Sequence, residues 1–397
     1  MKLANIFDRH WETFAGMKPY LLNAAHHRAA QAVLSCRTAA LGAQVHECED
    51  CQRKQVQYHS CHHRACPQCD KHKQQEWSQQ QEAKLLDVGY YMLTFTLPAE
   101  LRNTCYKNQQ WFYGLMFDTM RDTLKALDLQ HRRLVPDGAK HSHTQGFTAV
   151  LHTWTREMEY HPHLHVVMPG VSLASDGQRI HRPGRANYLI PHRALAKRFK
   201  ILLRRKLAEH DAMEGRTDLS TVKPAAWAKR WVVDVQSVGS GREALRYLAR
   251  YVHRTALSEE RLVGEAADGR IKLNCQHSRT RQWRIVSLAP HELLRRWCLH
   301  VLPKGFTRVR HYGFLSAAAV EKFGQIRRIL QMPETPRPPR SPIGKPECPC
   351  CKRPMKLLGT WTRHGDWIPA AAVLFELGMA TLWARRGVAR PPPADTG

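Results

Sequence analysis

No basic leader followed by an apolar core opens this sequence. Met1 to Tyr20 mixes charged, polar and apolar residues, so it does not read as a secretory signal, and the protein is expected to stay in the cytoplasm. Nor is there an uninterrupted apolar run of the roughly 20 residues that a membrane span needs. The most apolar stretch, Ile368 to Ala384, holds Pro369, Glu376 and Gly378 and reads as a packed or amphipathic segment. Repeats with periods of about 20 to 50 residues are missing too, which argues against solenoids. Acidic residues are scarce: 34 Asp and Glu face 61 Lys and Arg, a formal net charge of +27 before any of the 24 histidines protonates. A surplus of that size, spread along the chain, favours a polyanionic partner. A ribosome-like structural protein or a surface for anionic membranes would share the charge, but neither explains the chemistry-bearing residues described next.

A chain of 397 residues is long enough for two or three domains. Asn5 to Leu41 is rich in helix formers and stops at Gly42. Cys48 to Cys69 is polar and cysteine-rich, and the glutamine-rich run Lys71 to Lys84 should be helical. Residues 1–85 are therefore expected to form a helical lead-in and a zinc-binding, DNA-binding module. The aromatic and β-branched run from Tyr90 to Leu97, ended by Pro98, reads as a buried strand that begins the catalytic domain, residues 86–257. Within it Cys105 to Leu129 and His192 to His210 should be helices. Gly146 to Trp154 and His163 to Met168 should be an antiparallel strand pair, and Trp231 to Gln236 another strand. Strand candidates at Ile271 to Cys275 and Gln282 to Leu288, with helices near His291 to Val301 and Ala317 to Leu330, fall in residues 258–332. Residues 333–397 would hold a proline-rich linker, Pro333 to Pro346, and a disordered tail. The order is α+β rather than regular βαβ.

Six of the twelve cysteines fall in tight clusters with C-x-x-C spacing, a pattern that in a cytosolic chain points to metal rather than disulfides. Cys48-x2-Cys51 and Cys66-x2-Cys69 could meet around one tetrahedral Zn²⁺, with Cys61, His62 or His63 as alternative ligands. Such a closed site would be structural, and would present Arg53, Lys54, Arg64, Lys71 and Lys73 to DNA. Cys348-Pro349-Cys350-Cys351 offers a knuckle without a visible second half.

His161-Pro162-His163-Leu164-His165 carries the central chemistry. Side chains alternate along a strand, so His163 and His165 must share a face. His152, on the preceding strand candidate, could be brought level with them by antiparallel pairing. Three nitrogen ligands would leave open positions for a phosphate oxygen and water. Downstream, Ser240-Gly241-Arg242-Glu243 fits a capping box, so Arg242 to about Thr255 should be helical. At about 100° per residue, Leu245, Leu248, Ala249 and Val252 form an apolar face and Arg242, Arg246, Arg250 and Arg254 a basic stripe. Tyr247 and Tyr251 lie on the border, anchored on one side and open to a phosphate backbone on the other.

Taken together, these residues resemble the HUH (histidine, bulky hydrophobe, histidine) transposases of insertion-sequence family ninety-one, which are similar to rolling-circle replication initiators. The resemblance rests on the Cys48 to Cys69 region, Phe95-Thr96-Leu97-Pro98, Leu151-His152-Thr153-Trp154 and His163-Leu164-His165. It extends to Tyr247-Leu248-Ala249-Arg250-Tyr251, Leu302-Pro303-Lys304-Gly305-Phe306 and Arg310-His311-Tyr312-Gly313. It implies a palm-like antiparallel sheet flanked by helices and a divalent ion, Mg²⁺ or Mn²⁺, held by His163, His165 and a third ligand such as His152. It also implies cleavage by Tyr247 and Tyr251 through 5′-phosphotyrosine. The DNA would be single-stranded or hairpin element ends, in a bacterial protein associated with the nucleoid. The sequence departs from the pattern at Ala65, where a polar residue is expected. A relaxase or replication initiator would share this chemistry. The histidine motif alone also resembles the histidine-triad nucleotide hydrolases, and a non-catalytic DNA-binding protein would share the charge.

Overall fold

The structure is a computed structural model. It describes residues 1–69, 71–129, 131, 133–136, 143–183, 189–214, 222, 224–253, 255–277, 280, 282–333 and 345–371, with the side chains of residues 71–73, 214, 250, 251 and 253 left outside the description. The expected disordered tail at Pro391 to Gly397 and most of the proline-rich linker therefore lie outside the described residues. Among those described, no helix is long and apolar enough to cross a membrane.

Alternation of small polar and large apolar residues makes Tyr90–Thr96 a strand with one dry face, and it sits inside a seven-stranded antiparallel sheet. The order across the sheet is Val233–Ser237, Tyr90–Thr96, Tyr160–Pro169, His143–Trp154, Ser172–Ala174, Ile180–His181, with Val309–Gly313 pairing along the middle of His143–Trp154. One face turns Phe95, Leu151, Leu164 and Val166 toward the helices Gln109–Lys125 and His192–Glu214, which supply Phe112, Met116, Phe117, Phe199 and Leu203 to the same core. Each such side chain, fully buried, stabilises the fold by about 1.5–3 kcal/mol. The other face receives the helix Arg242–His253, whose Ala244, Leu245 and Leu248 pack on Tyr90, Val150 and Val167. The result is the expected α+β architecture.

Two expectations need correcting. The helix expected across Cys105 to Leu129 is broken at Asn108 into Ala99–Lys107 and Gln109–Lys125, with the Asn108 amide side chain donating to the Thr104 carbonyl. Asparagine competes for backbone groups in this way and so interrupts helices. The tyrosine helix begins at Arg242, as expected, but the residue before it is Gly241 rather than the expected serine cap, Ser240. Gly241, with φ 76°, occupies the capping position and accepts the Leu245 N–H.

A second buried cluster draws on distant parts of the chain. Phe7, Trp11 and Phe14 of helix Leu3–Met17 and Ala29 and Val33 of helix Ala24–Ser35 pack with Leu257, Ile271, Leu273, Leu293 and Trp297. Leu257 lies ahead of a three-stranded meander, Leu262–Glu265, Ile271–Gln276 and Trp283–Leu288, which supplies Ile271 and Leu273, while Leu293 and Trp297 come from helix Pro290–Cys298. A four-stranded sheet joins Ala43–Glu47 and Lys54–Tyr58 to a hairpin from the far end of the chain, Lys356–Trp361 and Trp367–Pro369.

Candidate active site and metal centres

Strand register assembles the three histidines. His163 stands opposite His152 on one side and Thr96 on the other, while His165 stands between Val150 and Thr94. All three imidazoles therefore share one sheet face, the face covered by the tyrosine helix. His152 Nδ1 lies 2.9 Å from His163 Nε2, which lies 3.1 Å from His165 Nε2. The Nδ1–H of His163 donates to the His161 carbonyl at 2.6 Å, leaving its Nε2 lone pair turned into the cluster. His165 Nδ1 meets Thr94 Oγ1 at 3.1 Å, an anchor of the kind that orients a metal-ligating imidazole.

The electrostatics agree with ligation. Burial first, and then the charge each ring would impose on its neighbours, holds His152 and His163 well below the ordinary imidazole value, and burial pushes His165 down to about 4. All three are neutral near pH 7, the form that binds a metal. The donor set fits a divalent ion with open positions left for oxygen ligands.

Tyr247 is half-buried beside this cluster, its ring 5.8 Å from that of His165 and perpendicular to it. Of the other residues expected on this helix, Arg242 and Arg246 are exposed and pair with Glu82, at 3.7 and 3.1 Å. The backbone of Tyr251 and Arg250 is helical, but their side chains lie outside the description, and Arg254 lies outside the described residues altogether.

The cysteines do not gather as expected. In place of one site built from Cys48, Cys51, Cys66 and Cys69, the fold makes two tetrads. Cys66 and Cys69 meet Cys36 and Cys61, whereas Cys48 and Cys51 meet Cys348 and Cys351, the sulfurs of each set lying within 4.8 Å of one another. The strand pair Ala43–Glu47 and Lys54–Tyr58 carries the Cys48 knuckle away from the Cys66 knuckle. Four thiolates in one cluster suit Zn²⁺, and a closed set of this kind is structural.

Several of these residues escape sequence reasoning. Cys36 stands alone, with no spacing to mark it. Cys348 and Cys351 are visible as half a site, but their partners are not. Thr94 has a faint signal: with Thr96 it places hydroxyls at alternate positions of an otherwise apolar strand. Nothing in the sequence around Glu82 singles it out.

Comparison with known proteins gives the chain its place. Residues 146–322, holding the histidine strand and the tyrosine helix, match the family model described as "Putative transposase". Residues 6–97, which enclose the whole Cys36, Cys61, Cys66 and Cys69 tetrad, match the "Transposase zinc-binding domain". The chain is 34% identical over 351 residues to "Putative transposase y4qJ" of Sinorhizobium fredii, covering 83% of this chain and 84% of that protein. It is 25% identical over 298 residues to "Transposase for insertion sequence element IS801" of Pseudomonas savastanoi pv. phaseolicola, covering 72% of this chain and 68% of that protein. No solved structure gives a significant match. With two family matches in chain order and a relative aligned over most of both chains, this protein belongs to the transposases of insertion-sequence family ninety-one, with a transposase zinc-binding domain ahead of the transposase region.

Proposed function

We propose that this transposase cuts and rejoins DNA by the HUH reaction, with Tyr247 and Tyr251 as nucleophiles in a rolling-circle type of transposition. The observation that carries this reading is the half-buried Tyr247 ring 5.8 Å from His165 in a cluster of three neutral histidines. Mg²⁺ or Mn²⁺ bound by His152, His163 and His165 would withdraw charge from the scissile phosphate.

The phenol oxygen of Tyr247 attacks phosphorus in line, forming a 5′-phosphotyrosine bond as the P–O3′ bond breaks and the 3′-oxygen leaves as a hydroxyl. Because the phosphodiester energy stays in the protein–DNA link, the 3′-hydroxyl of another strand can reverse the attack and join the DNA. Tyr251, four residues on, comes round to nearly the same side of the helix and allows a second transfer. His165, with its pKa near 4, is a weak proton acceptor, so the phenol proton leaves by another route. Arg242 and Arg246, with Arg250 and Arg254, would contact phosphates, exchanging the Glu82 carboxylate for the DNA backbone. The single-stranded or hairpin end of the element is the substrate in this reading. Residues 86–257 form its catalytic domain, 258–332 complete the core, and 1–85 add a DNA-binding zinc module.

The test incubates purified protein and Mn²⁺ with labelled single-stranded DNA from the element's ends and resolves covalent adducts on a denaturing gel. The wild type should give a metal-dependent adduct. Tyr247→Phe and Tyr251→Phe should each weaken it, and the double variant should lose it. Binding to cognate ends without an adduct, or an adduct that survives the double substitution, would overturn the reading.

A further inference from the structure

We propose that Cys48, Cys51, Cys348 and Cys351 form a second structural zinc site, a clasp that fastens the hairpin of residues 356–369 onto the amino-terminal module. The match to the transposase zinc-binding domain ends at residue 97, so it contains only half of this tetrad, while the other tetrad lies wholly within it. The protein therefore holds two zinc ions where the family match accounts for one.

The two halves of the clasp share one backbone design. Cys48 N–H donates to the Arg53 carbonyl at 3.0 Å and Gln52 N–H to the Cys48 carbonyl at 2.9 Å. Three hundred residues later the same turn recurs, Cys348 N–H to the Arg353 carbonyl at 2.8 Å and Lys352 N–H to the Cys348 carbonyl at 2.9 Å. Each turn is followed by a strand, and Ala43–Glu47 pairs with both of these strands, Glu47 standing opposite Lys54 and Lys356, so the knuckles lie at the same end of adjacent strands of one sheet. Of the six non-glycine residues with left-handed φ among the described residues, four directly follow a tetrad cysteine, namely Arg37, Gln52, His62 and Lys352 at 57°, 54°, 50° and 63°, while Met158 and Gln331 lie elsewhere. Such a conformation costs energy at a side-chain-bearing residue and persists only where its surroundings demand it. The second tetrad thus repeats at Gln52 and Lys352 what the first shows at Arg37 and His62.

The sulfurs sit as ligands sit, not as disulfides. Cys48 Sγ lies 3.3 Å from Cys351 Sγ and Cys51 Sγ 3.5 Å from Cys348 Sγ, well beyond the roughly 2.05 Å of an S–S bond. Across the same seam Arg353 pairs with Asp50 at 3.1 Å and Lys356 with Glu49 at 3.2 Å, placing opposite charges on the facing knuckles. Among the described residues, the buried cluster underneath comprises Cys48, Cys348 and Met355. So small a core cannot hold a hairpin by hydrophobic burial, and metal staples are the usual remedy. A tetrathiolate set selects zinc among the ordinary divalent ions.

The test is the metal content of the full chain, purified after expression with zinc. A loss of one zinc ion per chain in Cys348→Ser/Cys351→Ser relative to the wild type is the expected result. Equal zinc content in the wild type and the variant would overturn the clasp. If the variant fails to fold, cobalt titration of the unaltered chain decides the matter. A tetrathiolate absorption that saturates at two equivalents supports the clasp, and saturation at one rejects it. Neither measurement depends on the tyrosine chemistry, so a protein that forms no DNA adduct can still hold two ions.

Discussion

Thr94 Oγ1 lies 3.1 Å from His165 Nδ1, and that contact bears on which ring nitrogen is left to face the other histidines. With Nδ1–H donating to the hydroxyl, Nε2 keeps its lone pair for a metal. Thr94→Val preserves shape and removes the acceptor, so the Mn²⁺ concentration needed for half-maximal adduct formation should rise roughly 10–100-fold, while the level at saturating Mn²⁺ changes little. An unchanged Mn²⁺ requirement would sink this positioning role. His300 makes a separate prediction about acid. Its Nε2–H donates to the Met158 carbonyl at 3.0 Å, Nδ1 meets Thr153 Oγ1 at 3.2 Å, and burial pushes its pKa down to about 4. Below about pH 6.5 the unfolded chain takes up a proton that the folded chain refuses. The stability linked to this ring is therefore complete above about pH 6.5 and is lost as pH falls toward 4, a full swing on the order of 3 kcal/mol. Denaturant midpoints at about pH 7.5 and about pH 5 should diverge less in His300→Gln than in the wild type. Equal divergence would show that another group governs the acid response.

Among the elements, the tyrosine helix depends on how closely it can approach the sheet. Gly241 has φ 76°, and a Cβ there would stand 2.5 Å from Tyr90 Cγ. Gly241→Ala should cost on the order of 1–3 kcal/mol through strain and push the start of the helix off Tyr90, carrying Tyr247 away from His165. The expected outcome is a lower melting temperature and weaker adduct formation with zinc content unchanged; full activity in the variant would mean the helix can relocate freely. The histidine strand and this helix were both legible beforehand, because their meaning is periodic. His163 and His165 share a face at any register, and the stripe Leu245, Leu248, Ala249 follows from 3.6 residues per turn. His152 needed the actual register to place it. The strand Val309–Gly313 was not anticipated: Arg310-His311-Tyr312-Gly313 has no apolar alternation, and its burial comes from pairing with Phe147 to Val150. The Ser240 cap failed because a glycine one position later suits the positive φ.

At the scale of the whole molecule, the cysteines show where sequence reasoning stops. A C-x-x-C pair announces half a site and says nothing about which other half it will meet, since that is settled by strands hundreds of residues away. The structural metal also supports more than its own module. Cys36, Cys66 and Cys69 lie in the same buried cluster as Phe7, Leu273 and Trp297. Stripping zinc with a strong chelator should therefore lower the melting midpoint recorded by tryptophan fluorescence, by several kcal/mol or on the order of 10 °C. A loss confined to the signal of residues 1–69, with the Trp297 region unaltered, would contradict this coupling. The separation of the other tetrad has a consequence in time as well as in space. Cys48 is 303 residues ahead of Cys351. At a synthesis rate of about 5–20 residues per second, the amino-terminal thiols wait roughly 15–60 s on the ribosome before their partners emerge. Throughout that interval they are open to oxidants and stray metals, and a transcript cut short before Cys348 leaves them open for the life of the chain.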